Sequence, residues 1–399
     1  MSSPTDTLHP KCIATTGDEF HHRTRTSHSS HLSDESLVAR RSNIFRKALF
    51  TPDGTSIVTH TEDNCLRTFV LPPELLDERY EPLSLNAYAT WQSGSNVQSY
   101  AVYPGFDLQD PTTTFVLTGS ASVPVTLRNA LDYNSVQASY PLIHRTTEEY
   151  QPPRSLAWTR DGLHFLVGSD NLLAGFDCSQ AGQGPTIFHK LKAGRKSSSG
   201  LQMLQRKGLV SSLSISNDGL LALGTNEREI AMYDNDGLGS WVSSFELEEG
   251  LGTGISDLKW SPCGKHLLIA ERQSNVIQMY DIRNTQQKVG DLTGRYAATP
   301  QVMNIDVVPT ASGYEVWGGS TDGTVRMWSN PGDEYGGQMP SATLKLHGSP
   351  VSSAIWHPSG AILATASGRR FDDTTSTELD KDSGLSDLKQ DSSLKIWTV

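Results

Sequence analysis

The sequence predicts an all-β protein, a seven-bladed β-propeller whose last blade is closed by an N-terminal strand, and three observations predict it. Six short strands end alike on an aromatic residue, and an apolar strand running into a glycine-containing turn stands upstream of each. The turn glycines fall at 162, 219, 264, 313 and 360, close to a period of roughly 40–45 residues once loop insertions are allowed.

The clearest unit is Gly318-Gly-Ser-Thr-Asp-Gly-Thr-Val-Arg-Met-Trp328. It reads as a strand end, an Asp-Gly tight turn that needs positive φ, and an alternating strand closed by an aromatic, which is a hairpin signature. The related strand ends carry Phe69, Phe176, Tyr233, Tyr280, Trp328 and Trp397. The turns upstream are Phe50-Thr-Pro-Asp-Gly54, Trp158-Thr-Arg-Asp-Gly162, Ile215-Ser-Asn-Asp-Gly219, Trp260-Ser-Pro-Cys-Gly264, Val308-Pro-Thr-Ala-Ser-Gly313 and Trp356-His-Pro-Ser-Gly360. The gap from Gly54 to Gly162 is twice the period and conceals a degenerate blade, whose inner strands are Ser99–Pro104, Phe115–Thr118 and Pro124–Arg128. That brings the count to seven. The repeat resembles the WD40 repeat, whose blades are four-stranded sheets arranged radially. The resemblance implies a structural tetrad in the last blade formed by His347, Thr365, Asp391 and Trp397, with an acidic insertion, residues 371–391, in the hairpin turn. Since the chain stops after a third strand, the fourth is expected from about Cys12 to Thr16. The expected organisation is therefore a mostly flexible segment, 1–42, containing that strand, followed by the propeller, 43–399.

Composition narrows the function classes. Apolar runs are too short to span a bilayer, and no apolar segment follows the first methionine, so neither a membrane anchor nor a secretory signal is expected. Cys12, Cys65, Cys178 and Cys263 lie far apart with no C-x-x-C pair, as in a reducing compartment. A net charge of −11 argues against coating nucleic acid by bulk attraction, although Lys190 to Lys207 is locally basic. The His-rich stretch with His21, His22, His28 and His31 lacks zinc-like spacing and reads as a tether, so no metal is expected. No nucleophile elbow, phosphate-cradling loop or zinc-protease motif occurs, and Gly250-Leu-Gly-Thr-Gly254 lacks the third glycine of a nucleotide fingerprint. The expectation is a binding platform with no enzymatic site and no cofactor.

A narrower resemblance lies in Leu71-Pro-Pro-Glu-Leu-Leu76, in the degenerate second blade with Asp110-Pro-Thr-Thr-Thr-Phe-Val116 and Pro124-Val-Thr-Leu127, and in Leu363-Ala-Thr-Ala-Ser-Gly-Arg369 before the acidic insertion. Together and in this order they are similar to the telomerase Cajal body protein family and its fungal relatives, over about Asn43 to Val399. The resemblance implies a nuclear protein, present in the cytoplasm as well in one version, that binds small nuclear or telomerase-type RNA and assists ribonucleoprotein assembly or localisation, with a link to pre-mRNA splicing. The implied partners are that RNA and its proteins. No membrane and no small-molecule substrate are expected, and a closed ring suits a monomer. Arg128 departs from the pattern, standing where an aromatic is expected to close the blade.

In a propeller, inter-blade loops and second-to-third-strand loops emerge on one face. Lys192, Arg195, Lys196, Arg206 and Lys207 belong to the first kind, and Arg272, Arg369 and Arg370 to the second. These are the candidate RNA contacts, because guanidinium groups grip phosphates in a bidentate fork. The bland alternative is a solvated charge run. A rival function rests on Tyr280-Asp281-Ile282-Arg283, which copies the W-D-x-R pattern by which propellers dock a cullin ubiquitin-ligase adaptor. Its own alternative is that Arg283 pairs with Asp281 or a neighbouring strand and simply stabilises the sheet.

Overall fold

The computed structural model describes residues 8–18, 20, 43–191, 208–248, 251–284, 288–333, 335–370 and 391–399. Its strands form seven sheets, the blades of a propeller, five of them wholly antiparallel and two with an added parallel strand, with no α-helix among the described residues. Blade one comprises Phe45–Phe50, Ser56–Thr61, Cys65–Val70 and Ala89–Gln92 from the axis outward. Blade two comprises Val97–Val102, Phe115–Ser120, Val125–Asn129 and Val136–Tyr140, so the segment without a turn signature is a complete blade. Blades three to six begin at the inner strands Ser155–Trp158, Val210–Ile215, Ile255–Trp260 and Ile305–Thr310. Blade seven joins Val351–Trp356, Leu363–Ser367 and Leu394–Thr398 to Lys11–Thr15, which pairs antiparallel with Leu394–Thr398 and closes the ring.

The aromatic strand ends pack between neighbouring blades. Phe69, with Phe45 and Ile57 of blade one, packs against Ala14, Ala364, Leu394 and Ile396 of blade seven. Phe176 stacks on Phe165 at 5.0 Å between ring centroids. Gly54 has φ +73°, and a Cβ there would lie 2.1 Å from His357 Nε2, whose ring crosses from blade seven to the Gly54 carbonyl. The Asp322-Gly323 turn likewise has Gly323 at φ +77°. Gly313 departs from the expected turn position: it pairs with Thr310 and starts the second strand of blade six.

Two features escape the repeat pattern. Leu83–Ser84 adds a parallel fifth strand to blade seven, and Gly336–Gln338 does the same for blade five. The first gives the Leu-Pro-Pro-Glu-Leu run a physical role. After blade one's third strand the chain turns at Pro72, buries Leu75 and Leu85 in the core shared with blade seven, and pairs with the closing strand before returning as Ala89–Gln92. It is a strap over the ring's seam. Arg128 also finds a place: its guanidinium lies 4.3 Å from the centroid of the Trp91 ring of blade one and donates to the Tyr133 carbonyl at 2.7 Å. A cation on a neighbour's ring replaces the blade's own aromatic.

The last blade holds the four-residue network. His347 Nδ1 faces Asp391 Oδ2 at 2.9 Å, His347 Nε2 faces Thr365 Oγ1 at 2.7 Å, and Trp397 Nε1 donates to Thr365 Oγ1 at 2.7 Å. One proton order satisfies every member: Trp397 to Thr365, Thr365 to Nε2, and Nδ1–H to the carboxylate. Blades one and six use a variant in which a turn aspartate pairs with an arginine four residues on, Asp63 with Arg67 and Asp322 with Arg326. Asp391 and Lys395 repeat that spacing. All four cysteines are free thiols.

Candidate functional site

The inner strands enclose a central channel, and a local irregularity fits its mouth for binding. In blades one, two, four, five and seven the pairing register shifts near the start of the inner strand, leaving Arg46, Gln98, Ser211, Ser256 and Ser352 in the bulges. A bulge re-aims the extra side chain; Ser352 donates to the Phe45 carbonyl, and the other four line one cavity of about 320 Å³ at the channel mouth. Arg154, Arg272 and Arg370 join them, each from a different blade.

Charge at the mouth is unbalanced. Arg46 and Arg370 both bind Glu62, the former bidentately with Nη2 to Oε1 at 3.0 Å and the latter at 3.4 Å. Arg154 is satisfied by Asp170 at 3.2 Å and Gln98 at 2.9 Å. Among the described residues nothing pairs with the Arg272 guanidinium, and burial together with the nearby Arg46 and Arg370 charges holds its pKa below the usual arginine value. Deeper in, Lys259 pairs with Asp306 at 3.4 Å, and burial depresses the pKa of Lys47.

His60 and Asn304 also line this cavity and are 6% and 8% exposed. His60 Nε2 and Asn304 Oδ1 are buried without a hydrogen-bond partner. Burial, then the charges of Arg46 and Lys47, pushes the His60 pKa down to about 3, so the ring is neutral. A consequence follows for stability. As pH falls from about 6.5, the unfolded chain takes up a proton at this histidine that the folded chain refuses until about pH 3. Stability therefore drops by up to about 1.4 kcal/mol per pH unit across that window. His60→Gln should reduce the acid-side slope of urea-unfolding free energy by that one proton, and an unaltered slope would contradict the assignment.

Beside the mouth, a groove of about 770 Å³ is lined by Arg145, Phe188, His189, Lys190 and Trp241. Phe188 and Trp241 are 37% and 45% exposed, and the Arg145 guanidinium lies 5.4 Å from the Phe188 ring centroid. Asp170 borders this groove and binds Arg154 of the mouth, so the two depressions adjoin.

The structure thus brings two of the sequence-predicted residues, Arg272 and Arg370, to one mouth, while Arg369 borders an adjoining depression with Tyr296. Lys192, Arg195, Lys196, Arg206 and Lys207 lie outside the described residues, as do His21, His22, His28, His31 and the insertion 371–390. Arg46 and Arg154 are additions that the repeat reading misses; their signal is a basic residue beside the first position of an inner strand. Arg283 is folded back on Asp281, with Nη2 to Oδ2 at 2.6 Å and Nε to Oδ1 at 3.0 Å, and this closed pair gives the ligase-adaptor reading no support. Among the described residues no three His, Cys, Asp or Glu side chains are grouped to hold a metal ion, and no helix is long and apolar enough to cross a membrane.

Comparison with known proteins agrees with the architecture. Residues 338–375 match the family model "WD domain, G-beta repeat"; they contain the last strand of blade six and the first two of blade seven. The chain is 29% identical over 296 residues to "Guanine nucleotide-binding protein negative regulator 1" of Schizosaccharomyces pombe, covering 72% of this chain and 71% of that protein. It is 26% identical over 336 residues to human "Telomerase Cajal body protein 1", covering 82% of this chain and 57% of that protein. "Protein SWT21" of Saccharomyces cerevisiae is 21% identical over 296 residues, covering 71% of this chain and 80% of that protein. The chain spans less than two thirds of the Cajal body relatives' length.

Proposed function

Because the chain is a WD40 propeller that resembles the telomerase Cajal body proteins, we propose that it is a non-enzymatic nuclear scaffold that binds small nuclear or telomerase-type RNA and assists assembly or localisation of the ribonucleoprotein, including particles used in pre-mRNA splicing. The observation that carries this reading is the surplus of cationic groups at the channel mouth, where Arg46, Arg272 and Arg370 outnumber the carboxylates of Glu62 and Asp257, next to a groove with exposed rings at Phe188 and Trp241. Guanidinium groups grip phosphates and exposed rings stack unpaired bases, which is the chemistry of single-stranded RNA recognition. The net charge of −11 gives a polyanion no bulk attraction, so its binding falls to local basic sites such as this mouth.

Replacing Arg272, Arg369 and Arg370 together with Gln should weaken binding of a single-stranded small nuclear RNA and flatten the log–log salt dependence by about 2, at about 0.7 per phosphate contact. Replacing Arg195, Lys196, Arg206 and Lys207 with Ala should do the same if that segment joins the interface. Unchanged affinity and slope in the first variant would remove the mouth from the model. A second reading is favoured by the higher identity to the fission yeast protein: the propeller regulates a guanine nucleotide-binding protein. Purification of the tagged chain separates the two, since small nuclear RNA in the eluate supports the first and a guanine nucleotide-binding protein supports the second.

A further inference from the structure

The channel mouth is built as more than a basic surface. Its lining sets Arg46, Lys47, Arg154, Arg272 and Arg370 against the carboxylates of Glu62 and Asp257, with Arg154 paired to Asp170 alongside, so positive charge is in surplus, and Arg272 has no partner among the described residues. Like charges held together in a partly desolvated site repel one another, and an anion relieves that repulsion. A phosphate monoester, at about −1.5 to −2 near pH 7, matches the surplus better than a single carboxylate does. The same cavity carries a second demand. Asn304 and His60 line it, and Asn304 Oδ1 and His60 Nε2 are buried with no hydrogen-bond partner. An unsatisfied buried polar atom is costly and marks a place where a missing partner belongs. The Asn304 oxygen only accepts, so that partner must carry an N–H or O–H; neutral His60 can donate or accept. The volume, about 320 Å³, sits at the small end of the range of roughly 300–1,000 Å³ for ligand pockets.

We infer that the channel mouth is a binding site for one nucleotide, its phosphate monoester held by Arg272 with Arg46 and Arg370 and its hydrogen-bonding ring or hydroxyls directed to Asn304 and His60. The nucleotide can be a free nucleoside 5′-monophosphate or the phosphorylated end of a single strand, which present the same chemistry. The inference stands independently of whether the chain binds internal stretches of RNA.

Calorimetric titration of the full chain tests it, with adenosine 5′-monophosphate, adenosine, and an eight-nucleotide RNA bearing either a 5′-phosphate or a 5′-hydroxyl as probes. Adenosine 5′-monophosphate is expected to bind at least about ten-fold more tightly than adenosine, and Arg272→Gln to reduce its affinity by about ten-fold. Asn304→Ala should weaken both ligands alike. Glu62→Gln, which removes the competing carboxylate, should tighten monophosphate binding, a gain that misfolding cannot produce. Competition by the 5′-phosphorylated RNA alone identifies a strand end as a source; its absence, with the monophosphate still bound, identifies the free nucleotide. The inference is overturned if the monophosphate binds no better than adenosine, if Arg272→Gln leaves it unaffected, or if an acidic peptide occupies the mouth in its place. Both RNAs binding alike without displacing the monophosphate would separate this site from the RNA interface and leave the inference intact. RNA binding with no monophosphate binding would sink the inference and spare the RNA reading.

Discussion

Asp391→Ala is expected to destabilise the propeller by about 3–5 kcal/mol, the range for removing one member of a buried hydrogen-bonded charge pair. The Asp391 side chain is 9% exposed. It accepts from His347, from the Gly348 amide at 3.1 Å and from Ser393, and it neutralises Lys395 at 3.1 Å. Its loss strands His347 at the point where the chain's two ends meet. Trp397→Phe, which deletes only the Nε1–H donor, should cost about 1 kcal/mol. Urea unfolding near neutral pH measures both, and a loss below about 1 kcal/mol for Asp391→Ala would show that the network is ornamental. Those hydrogen bonds outweigh burial and hold the Asp391 pKa well below its ordinary value. Its stabilisation is therefore fully present above the ordinary aspartate range and lost as pH falls through and below it. Burial lowers the His347 pKa as well, so this histidine also opposes folding increasingly below about 6.5. Both act with His60 in making the fold acid-labile.

The closing strand carries the second large effect. Ala14 is fully buried, pairs with Ile396 and sits in the core that joins blades seven and one. Ala14→Asp puts an unpaired carboxylate into that core at a cost of several kcal/mol, and it frees the edge of Leu394–Thr398 for pairing with other chains. We expect a strong fall in unfolding midpoint and concentration-dependent association in sedimentation. Lys11→Ala, at an exposed position of the same strand, should stay within about 0.5 kcal/mol. Equal behaviour of the two variants would mean that the ring does not depend on this strand.

Much of this architecture is legible in the sequence because a repeated strand and turn chemistry constrain every blade alike. The aromatic ends and the Asp-Gly turns are local patterns, and the four tetrad residues follow from the resemblance to the WD40 repeat. The Asp-to-cation spacing of four in Asp63–Arg67, Asp322–Arg326 and Asp391–Lys395 is another, visible once the third strands are aligned. What resists reading is created by distant segments meeting. The strand Leu83–Ser84 has meaning only beside Lys11–Thr15, and Arg128 only beside Trp91. The candidate site is partly of this kind: loop position places Arg272 and Arg370 on one face, but Arg46 stands far from both in the chain, and no local pattern announces that they share a cavity with His60 and Asn304. The basic run from Lys192 to Lys207, the most conspicuous sequence signal for RNA, lies outside the described residues.

The measurement that bears most directly on the central claim is ultraviolet crosslinking of the full chain to its bound RNA, with sequencing of the RNA and mapping of the crosslinked peptides. The account predicts small nuclear or telomerase-type RNA, joined to peptides that contain Arg46, Phe188, Trp241, Arg272 or Arg370 around the channel mouth and its adjoining groove. Absence of crosslinked RNA, or crosslinks confined to the opposite face near Arg160 and Asp236, would contradict it.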